Sequence, residues 1–376
     1  MRAIEDISMI FKKISLNLYR IYLFLIVNIN SLRSLWFSRR TTLIKVFYGG
    51  ARTGNLGGPL VKVFRLNQLF PESKFNFNLL YCLSNTPYLS QYSLEKIKGR
   101  NIPIILNQNG VFYKGWYPNG WKEKNSQMSH TYHIADYVFW QSEFSRSTAN
   151  IFLGERKGRG EILYNAVDLN LFKPRSNNMR LPSKINFLIV GKFNSDKFYA
   201  IEPAMIALKD NLAKGYNFNL VIAGYMDSKL KSKTLEIAEK LGVESSIKLI
   251  GEYNQIDAPA IYRRAQILIH LKYLDPCPNV VIEGMASGLP VIYSDSGGTP
   301  ELVSGIAGIP VKSIVDFEQP PIAVDPSIIS LAMIKILDDY AFRSNISRGI
   351  AEKNFDLNAW HQQHAKIFEY YLSAIK

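Results

Sequence analysis

The sequence predicts an α/β protein built from two doubly wound domains facing across a cleft, with a basic amphipathic helix appended at its N-terminus. Short apolar runs alternate with helix-length stretches in both halves of the chain, the pattern of parallel sheets flanked by helices. A polar segment containing two prolines, KPRSNNMRLPS at 173–183, separates the halves as a hinge linker would. The 376 residues, 47% of them apolar, suffice for two cores of ordinary size.

The appended segment, residues 1–40, holds Arg2, Lys12, Lys13, Arg20, Arg33, Arg39 and Arg40 against only Glu5 and Asp6. On a helical wheel Lys13, Asn17, Arg20, Asn28 and Ser31 form a polar stripe, interrupted by Phe24. Ile14, Leu18, Ile21, Tyr22, Leu25, Ile29 and Leu32 cover the opposite side. This composition suits a helix lying in an anionic membrane surface, ahead of a helix packed on the protein. The longest uncharged run, 21–32, falls short of the roughly 17 residues needed to span a bilayer, and no small-residue cleavage site follows it.

Residues 41–172 read as the N-terminal domain, with strands at 43–47, 77–83, 102–106, 137–141 and 161–164. After the linker, residues 184–354 read as the C-terminal domain, with strands at 185–190, 219–223, 247–250, 267–271 and 290–294. Residues 355–376 have a helical pattern with Trp360, Ile367, Tyr370, Tyr371 and Ile375 as apolar positions. Two open parallel sheets place a ligand cleft at the carboxyl ends of their strands. No short repeat is present, so solenoid folds are not expected.

The chemistry concentrates at 270–303, HLKYLDPCPNVVIEGMASGLPVIYSDSGGTPELV. Pro276, Pro278 and Asn279 suit a helix start and Gly288 its end, which puts Asp275 just outside the helix and Glu283 on it. Next come a buried strand and a tight turn, Ser296, Gly297 and Gly298, with Thr299 expected as N-cap and Pro300 at the first helical position. Glycines let backbone N–H groups approach a phosphate, and a helix N-terminus favours its charge. A nucleoside diphosphate is the guest such a unit suits.

These residues resemble the retaining glycosyltransferases of family four (glycosyl transferases group 1), whose pattern has two acids followed by a Gly-Gly-x-x-Glu turn. Asp275 and Glu283 occupy the acid positions, and Gly297, Gly298 and Glu301 the turn. INFLIVGKFNSDK at 185–197 is similar to the family's strand with two basic residues, here Lys192 and Lys197. KVFYGGARTGNLGGPLVKVFRL at 45–66 is similar to its glycine loop, with Gly57 and Gly58 facing the donor. Further similarity at 107–117, 141–147 and 164–174 extends the resemblance over about residues 43–374.

The resemblance implies the GT-B arrangement of two Rossmann-like domains, with the C-terminal helix crossing back to the N-terminal domain. It implies a nucleotide-sugar donor as co-substrate, retention, no cofactor and no metal. Asp275 would hold the sugar hydroxyls, Glu283 the ribose, and Lys192 and Lys197 the departing diphosphate. Gly251, Glu252 and Tyr253 would lie beside the base, and Asn279, Val280, Gly297, Gly298 and Thr299 would complete the donor site. Asp275 stands where relatives usually have Glu, Lys192 where Arg is commoner, and no histidine lies at 107–109, so no side-chain base is assigned.

On the acceptor side, Asn109, Trp116 and Tyr117 are candidates, in a loop, FYKGWYPNGW, whose aromatic faces suit either sugar stacking or anchoring to the core. A net charge of +14 calls for an anionic partner, yet no nucleic-acid reading module is present and the motifs converge on a diphosphate. Two cysteines, Cys82 and Cys277, fit a reducing compartment without disulfides. That favours the cytoplasm, with attachment to the inner face of a membrane through residues 1–40. The pairs His130/His133 and His361/His364 lack a third ligand and read as packing or surface residues. A glycan or lipid-linked saccharide acceptor follows. The alternatives are a nucleotide-sugar epimerase of the same fold and a catalytically silent binding scaffold.

Overall fold

The computed structural model describes residues 2–37, 43–51, 54, 58–84, 88–175 and 180–374. Helix α1 (Arg2–Phe37) precedes an N-terminal sheet of β1 (Val46–Phe47), β2 (Leu79–Leu83), β3 (Ile104–Gln108), β4 (Tyr137–Trp140) and β5 (Arg159–Ile162). Its helices are α2 (Gly58–Leu69), α3 (Gln91–Gly99), α4 (Trp121–Ile134) and α5 (Glu143–Leu153). The strands are parallel and lie in chain order, and a lone parallel bridge from Val46 to Glu72 extends the sheet beyond β1. Right-handed crossovers in opposite directions from β1 therefore put α2 on one face and α3, α4 and α5 on the other. Side chains obey the two-residue period: Leu79, Tyr81 and Leu83 pack towards α2, Leu80 and Cys82 towards the other three.

The C-terminal sheet contains β6 (Ile185–Val190), β7 (Phe218–Ala223), β8 (Ile247–Ile250), β9 (Ile267–His270), β10 (Val291–Ser294) and β11 (Gly308–Val311). They are parallel in the order β11-β10-β9-β6-β7-β8, so the winding direction reverses between β6 and β9. Loops leaving these two neighbours diverge and open a crevice between them. The helices are α6 (Glu202–Ala213), α7 (Ser228–Leu241), α8 (Ala258–Arg263), α9 (Asn279–Ala286), α10 (Thr299–Val303), α11 (Pro326–Lys335), α12 (Tyr340–Asn354) and α13 (Leu357–Ser373). Among the described residues, only β11 goes beyond the strands the sequence predicts. Its Pro310 argues against a strand, and is accommodated because β11 is an outer edge.

Helix α13 lies against the N-terminal sheet, where Trp360, Ile367 and Phe368 share a core with Val63 and Leu66 of α2 and with Phe70 just after it. Tyr371 is partly buried there, Tyr370 is exposed, and Ile375 lies outside the described residues. His364 is sealed in this core; its Nδ1 donates to Trp360 O and its Nε2 accepts from Tyr81 Oη at 3.0 Å. Burial holds that ring neutral, its pKa pushed down to about 3. His133 donates to Leu153 O and His361 to Arg65 O, so neither of the sequence's histidine pairs converges on a shared point.

The orientation of α1 differs from a simple amphipathic reading. The C-terminal part of its polar stripe faces the protein, with Ser31 buried, while Asn17 and Arg20 are exposed: Asn28 Oδ1 accepts from Ser90 N at 2.9 Å and Ser90 Oγ at 2.7 Å, and Asn28 Nδ2 donates to Tyr88 O at 2.8 Å. Val27 is buried beside this contact in the α3 face of the core. Leu18, Ile21, Tyr22, Leu25 and Ile29 face outward and are exposed. Among the described residues no helix is long and apolar enough to cross a membrane.

Candidate functional site

The sequence-predicted donor residues of the C-terminal domain gather at the β6/β9 crevice. Past the end of β9 the chain turns through Leu274, which has φ 50°, a left-handed conformation unusual for a branched side chain. Its N–H donates to Ser296 Oγ at 3.3 Å, tying the turn to the glycine loop after β10. Asp275 follows, buried, with Lys272 Nζ at 2.8 Å from its Oδ2 and His270 Nε2 at 3.6 Å. Burial alone would raise its pKa, but Lys272 and His270 outweigh it and hold the carboxyl well below the usual carboxylate range. Asp275 is therefore a firmly ionised acceptor.

The glycine pair packs on the backbone of this acid. Gly298 N donates to Asp275 O at 2.9 Å, and a Cβ on Gly298 would fall 2.0 Å from Pro276 O and 2.8 Å from Ser142 Oγ of the facing domain. Gly297 has φ +71° and its Cβ would lie 2.5 Å from Asp275 O. The Gly298 amide, expected to face a phosphate, is thus engaged within the protein, because the turn's tight fit to the acid's loop consumes it. α10 also begins at Thr299 with Gly298 as cap, one residue before the expected start. Thr299 is not the N-cap; its hydroxyl is buried without a hydrogen-bond partner.

Glu283 lies on α9, buried, accepting from Gln255 Nε2 at 3.1 Å and Tyr262 Oη at 3.0 Å. Burial raises its pKa, opposed first by Arg65 of α2 across the cleft. Gln255 belongs to the loop after β8, which also contains Gly251, Glu252 and Tyr253; Tyr253 packs beside Glu283 while Gly251 and Glu252 are exposed. Asn279 and Val280 open α9, and Asn279 Oδ1 is buried without a partner. Lys192 and Lys197 follow β6, in the loop and in a short 3₁₀ turn. Lys197 Nζ donates to Lys192 O at 3.1 Å, and its pKa is lowered by burial and by Lys272 and Lys192 nearby. Lys192 Nζ lies 5.2 Å from the Tyr225 ring centre.

Opposite stands the N-terminal domain. Gly58 opens α2; Gly57 lies outside the described residues. One turn on, Lys62 is 4% exposed, and its Nζ donates to Asn107 Oδ1 at 2.5 Å and Asn109 Oδ1 at 3.1 Å. Gln141 also donates to both amide oxygens and accepts from Asn165 Nδ2, which donates in turn to Cys277 O at 2.9 Å. This polar chain joins the two domains beside Asp275. Burial lowers the Lys62 pKa to about 7.

Two further contacts close the cleft. The Glu301 carboxylate accepts from the N–H groups of Glu143 and Phe144, both at 2.7 Å, at the start of α5. The aromatic loop is anchored by Gly115 N to Phe317 O at 2.8 Å and by the Tyr113–Phe317 ring pair. Trp116 stacks one face on Phe112 at 5.1 Å and is 51% exposed, and Tyr117 is also exposed. The anchoring thus falls to Tyr113 and Gly115, and Trp116 and Tyr117 keep surface free for a ligand.

Lys62, Arg65 and Lys272 were not singled out by sequence, and His270, at the end of a buried strand, reads there as structural rather than catalytic. Lys62 and Arg65 carry a signal, two cations three residues apart in the apolar helix after the glycine loop. Lys272 carries none beyond proximity to Asp275.

The chain is similar to known glycosyltransferases. Residues 175–313 match the model of the family described as Glycosyl transferases group 1. Two uncharacterized glycosyltransferases of Methanocaldococcus jannaschii are similar. One is 23% identical over 61% of this chain and 58% of its own length, so the chain spans a little over half of that relative. The other is 22% identical over 79% of this chain and 73% of its own length. Among solved structures, sucrose-phosphate synthase from Thermosynechococcus elongatus superposes with TM-score 0.63 at 17% identity, covering 84% of this chain and 78% of that one. Anabaena HepE in complex with UDP gives TM-score 0.62 at 19% identity, covering 83% and 82%. The two-domain architecture is the GT-B fold of these glycosyltransferases.

Proposed function

We propose that this chain, a GT-B glycosyltransferase whose residues 175–313 match group 1, transfers a sugar with retention from a nucleoside-diphosphate sugar to a hydroxyl of a glycan or lipid-linked saccharide. The observation that carries this is the gathering of Asp275, Glu283, Lys192 and Lys197 at the sheet's switch point, opposite a second domain. HepE, of the same fold, was crystallised with UDP-glucose, which supports a nucleotide-sugar donor here.

As the bond from the anomeric carbon to the diphosphate breaks, positive charge develops on the ring and negative charge on the leaving group. Lys192, Lys197 and the Gly297 and Thr299 amides would stabilise the departing diphosphate, in a site whose charges are already oriented. Asp275, held ionised, would orient sugar hydroxyls, and Glu283 the ribose, with the base beside Tyr253. Asn109 and the free surfaces of Trp116 and Tyr117 would meet the acceptor. No metal takes part in this reading. The outward apolar side of α1, flanked by exposed Arg20 and Arg33, would rest on the anionic inner face of a membrane, where a lipid-linked acceptor is found.

Thermal-shift screening against UDP-, GDP-, ADP- and CDP-sugars tests the donor site. Stabilisation selective for one nucleotide, and lost in Glu283→Ala, is the expected result; no shift with any donor would leave the silent scaffold. With the donor known, a new α- or β-glycoside seen by NMR reports transfer and its stereochemistry, whereas an altered nucleotide sugar would mean epimerisation. Turnover undiminished by EDTA is expected. Co-sedimentation with phosphatidylglycerol vesicles, lost on deleting residues 2–37, tests the membrane contact.

A further inference from the structure

Lys62 has no part in the donor reading. Its ammonium has three N–H donors and, among the described residues, two acceptors, the amide oxygens of Asn107 and Asn109. Both are neutral, and both also serve Gln141. No carboxylate among the described residues is paired with it: Asp275 is engaged by Lys272 and His270, and Glu283 by Gln255 and Tyr262. A buried cation without a counter-ion bears a desolvation cost that neutral partners offset incompletely.

The ammonium is buried where the two domains meet. Its partner Asn109 precedes Gly110, whose Cβ would sit 3.4 Å from the Pro276 ring, directly after Asp275. The same amide network ends on Cys277 O. The titratable groups around it supply no negative charge near neutral pH. Arg65 on its own helix is cationic, the Cys277 thiol is pushed up to about 12 by burial, Tyr81 of β2 is raised by burial, and His364 of α13 is held neutral.

Resting on the proposed donor site, we propose that Lys62 is the specificity-determining residue of the cleft and selects a sugar substrate bearing a carboxylate, a uronic acid, for which it is the counter-ion. The carboxylate enters on the donor sugar or on the acceptor. In either place it supplies the anion that the third N–H lacks.

The test is isothermal titration of the full chain with UDP, GDP, UDP-glucose, UDP-glucuronate, GDP-mannose and GDP-mannuronate, then with glucose or glucuronate in the presence of the nucleotide that binds. At pH 6.5 one arm should favour the acid about tenfold or more over its neutral counterpart, and which arm does so identifies the carrier. Lys62→Gln should cut that preference to under about twofold and Lys62→Arg should keep most of it, with nucleotide binding reporting that each variant is folded. If Lys62→Gln does not fold, the wild-type preference should fade between pH 6.5 and 9, as the ammonium is lost, while neutral-sugar affinity stays level. A protein that binds nucleotide but prefers neutral sugars in every arm, or whose preference survives Lys62→Gln, overturns the proposal and leaves the donor site standing. Absence of binding by any nucleotide here, together with no shift from the ADP- and CDP-sugars of the thermal screen, overturns both.

Discussion

The buried ammonium of Lys62 makes a prediction about stability that needs no substrate. Its pKa is about 7 in the folded chain against 10.5 for an exposed lysine, the displacement coming from burial. Between these values the unfolded chain binds a proton that the folded chain has released, so wild-type stability should rise with pH across this window. One unit corresponds to about 1.4 kcal/mol; from pH 7 to pH 9 the gain is about 2 kcal/mol, since at pH 7 the folded lysine is still half protonated. Lys62→Met removes the group and should abolish this slope. Urea unfolding of both proteins at pH 7, 8 and 9, followed by tryptophan fluorescence, reads the difference while shifts from other groups cancel. Lys62→Met should be the more stable at pH 7, with its advantage shrinking by about 2 kcal/mol at pH 9. A constant difference across the series would mean that the ammonium is solvated or paired, and the counter-ion argument would fail with it.

Three other outcomes test the site. Gly298→Ala meets a carbonyl 2.0 Å away at a φ of −89° that alanine tolerates, so the clash alone should cut donor affinity at least tenfold by titration; unchanged affinity would show that the turn gives way. Glu301→Gln keeps an acceptor but loses the charge at the start of α5, weakening the closed form by about 1.5–3 kcal/mol. Its radius of gyration by small-angle scattering and its donor KM should both rise, and neither moving would remove Glu301 from closure. Lys197→Ala should lower kcat by about a hundredfold, the scale for losing one preorganised charge-stabilising group, and near-normal turnover would dismiss it from the mechanism.

The sheets were legible because their strands are apolar runs bounded by turn residues, and β6 and β8 fall on their expected bounds. β1 is reduced to two residues, since nothing in residues 43–47 tells how far pairing with β2 extends. Spacing within one segment placed Asp275, Glu283 and Gly297 together, all being local to 270–303. It could not show that the Gly298 amide is engaged by Asp275 O, which depends on how two loops fold onto each other. Nor could it show Lys62 beside Asn107 and Asn109, some 45 residues on, because a lysine in an amphipathic helix reads as exposed unless its partners are known. For α1 the stripe was legible and its direction was not: Asn28 is polar because it caps a protein contact, not because it meets water.

The same long-range contacts bear on how the cleft opens. The chain passes between the domains after β5 and again between α12 and α13. The two passages are stitched together where Val167 N donates to Phe355 O at 2.8 Å and Leu357 N donates to Val167 O at 3.2 Å. One domain can rotate about this point without stretching either connection, the geometry of a hinge. Among the described residues, the polar contacts to be broken on opening include two charge-assisted bonds at Glu301, the Gly115–Phe317 and Asn165–Cys277 bonds and the exposed Lys114–Glu318 pair. At about 1.5–3 kcal/mol for a charged hydrogen bond, about 1 for a neutral one and less for an exposed pair, they sum to several kcal/mol. A donor bound with micromolar affinity supplies about 8 kcal/mol, the same order. On the proposed reading, closure held by so small a margin would be reversed each turnover, and Glu301 would set release of the nucleotide and reopening from outside the chemistry.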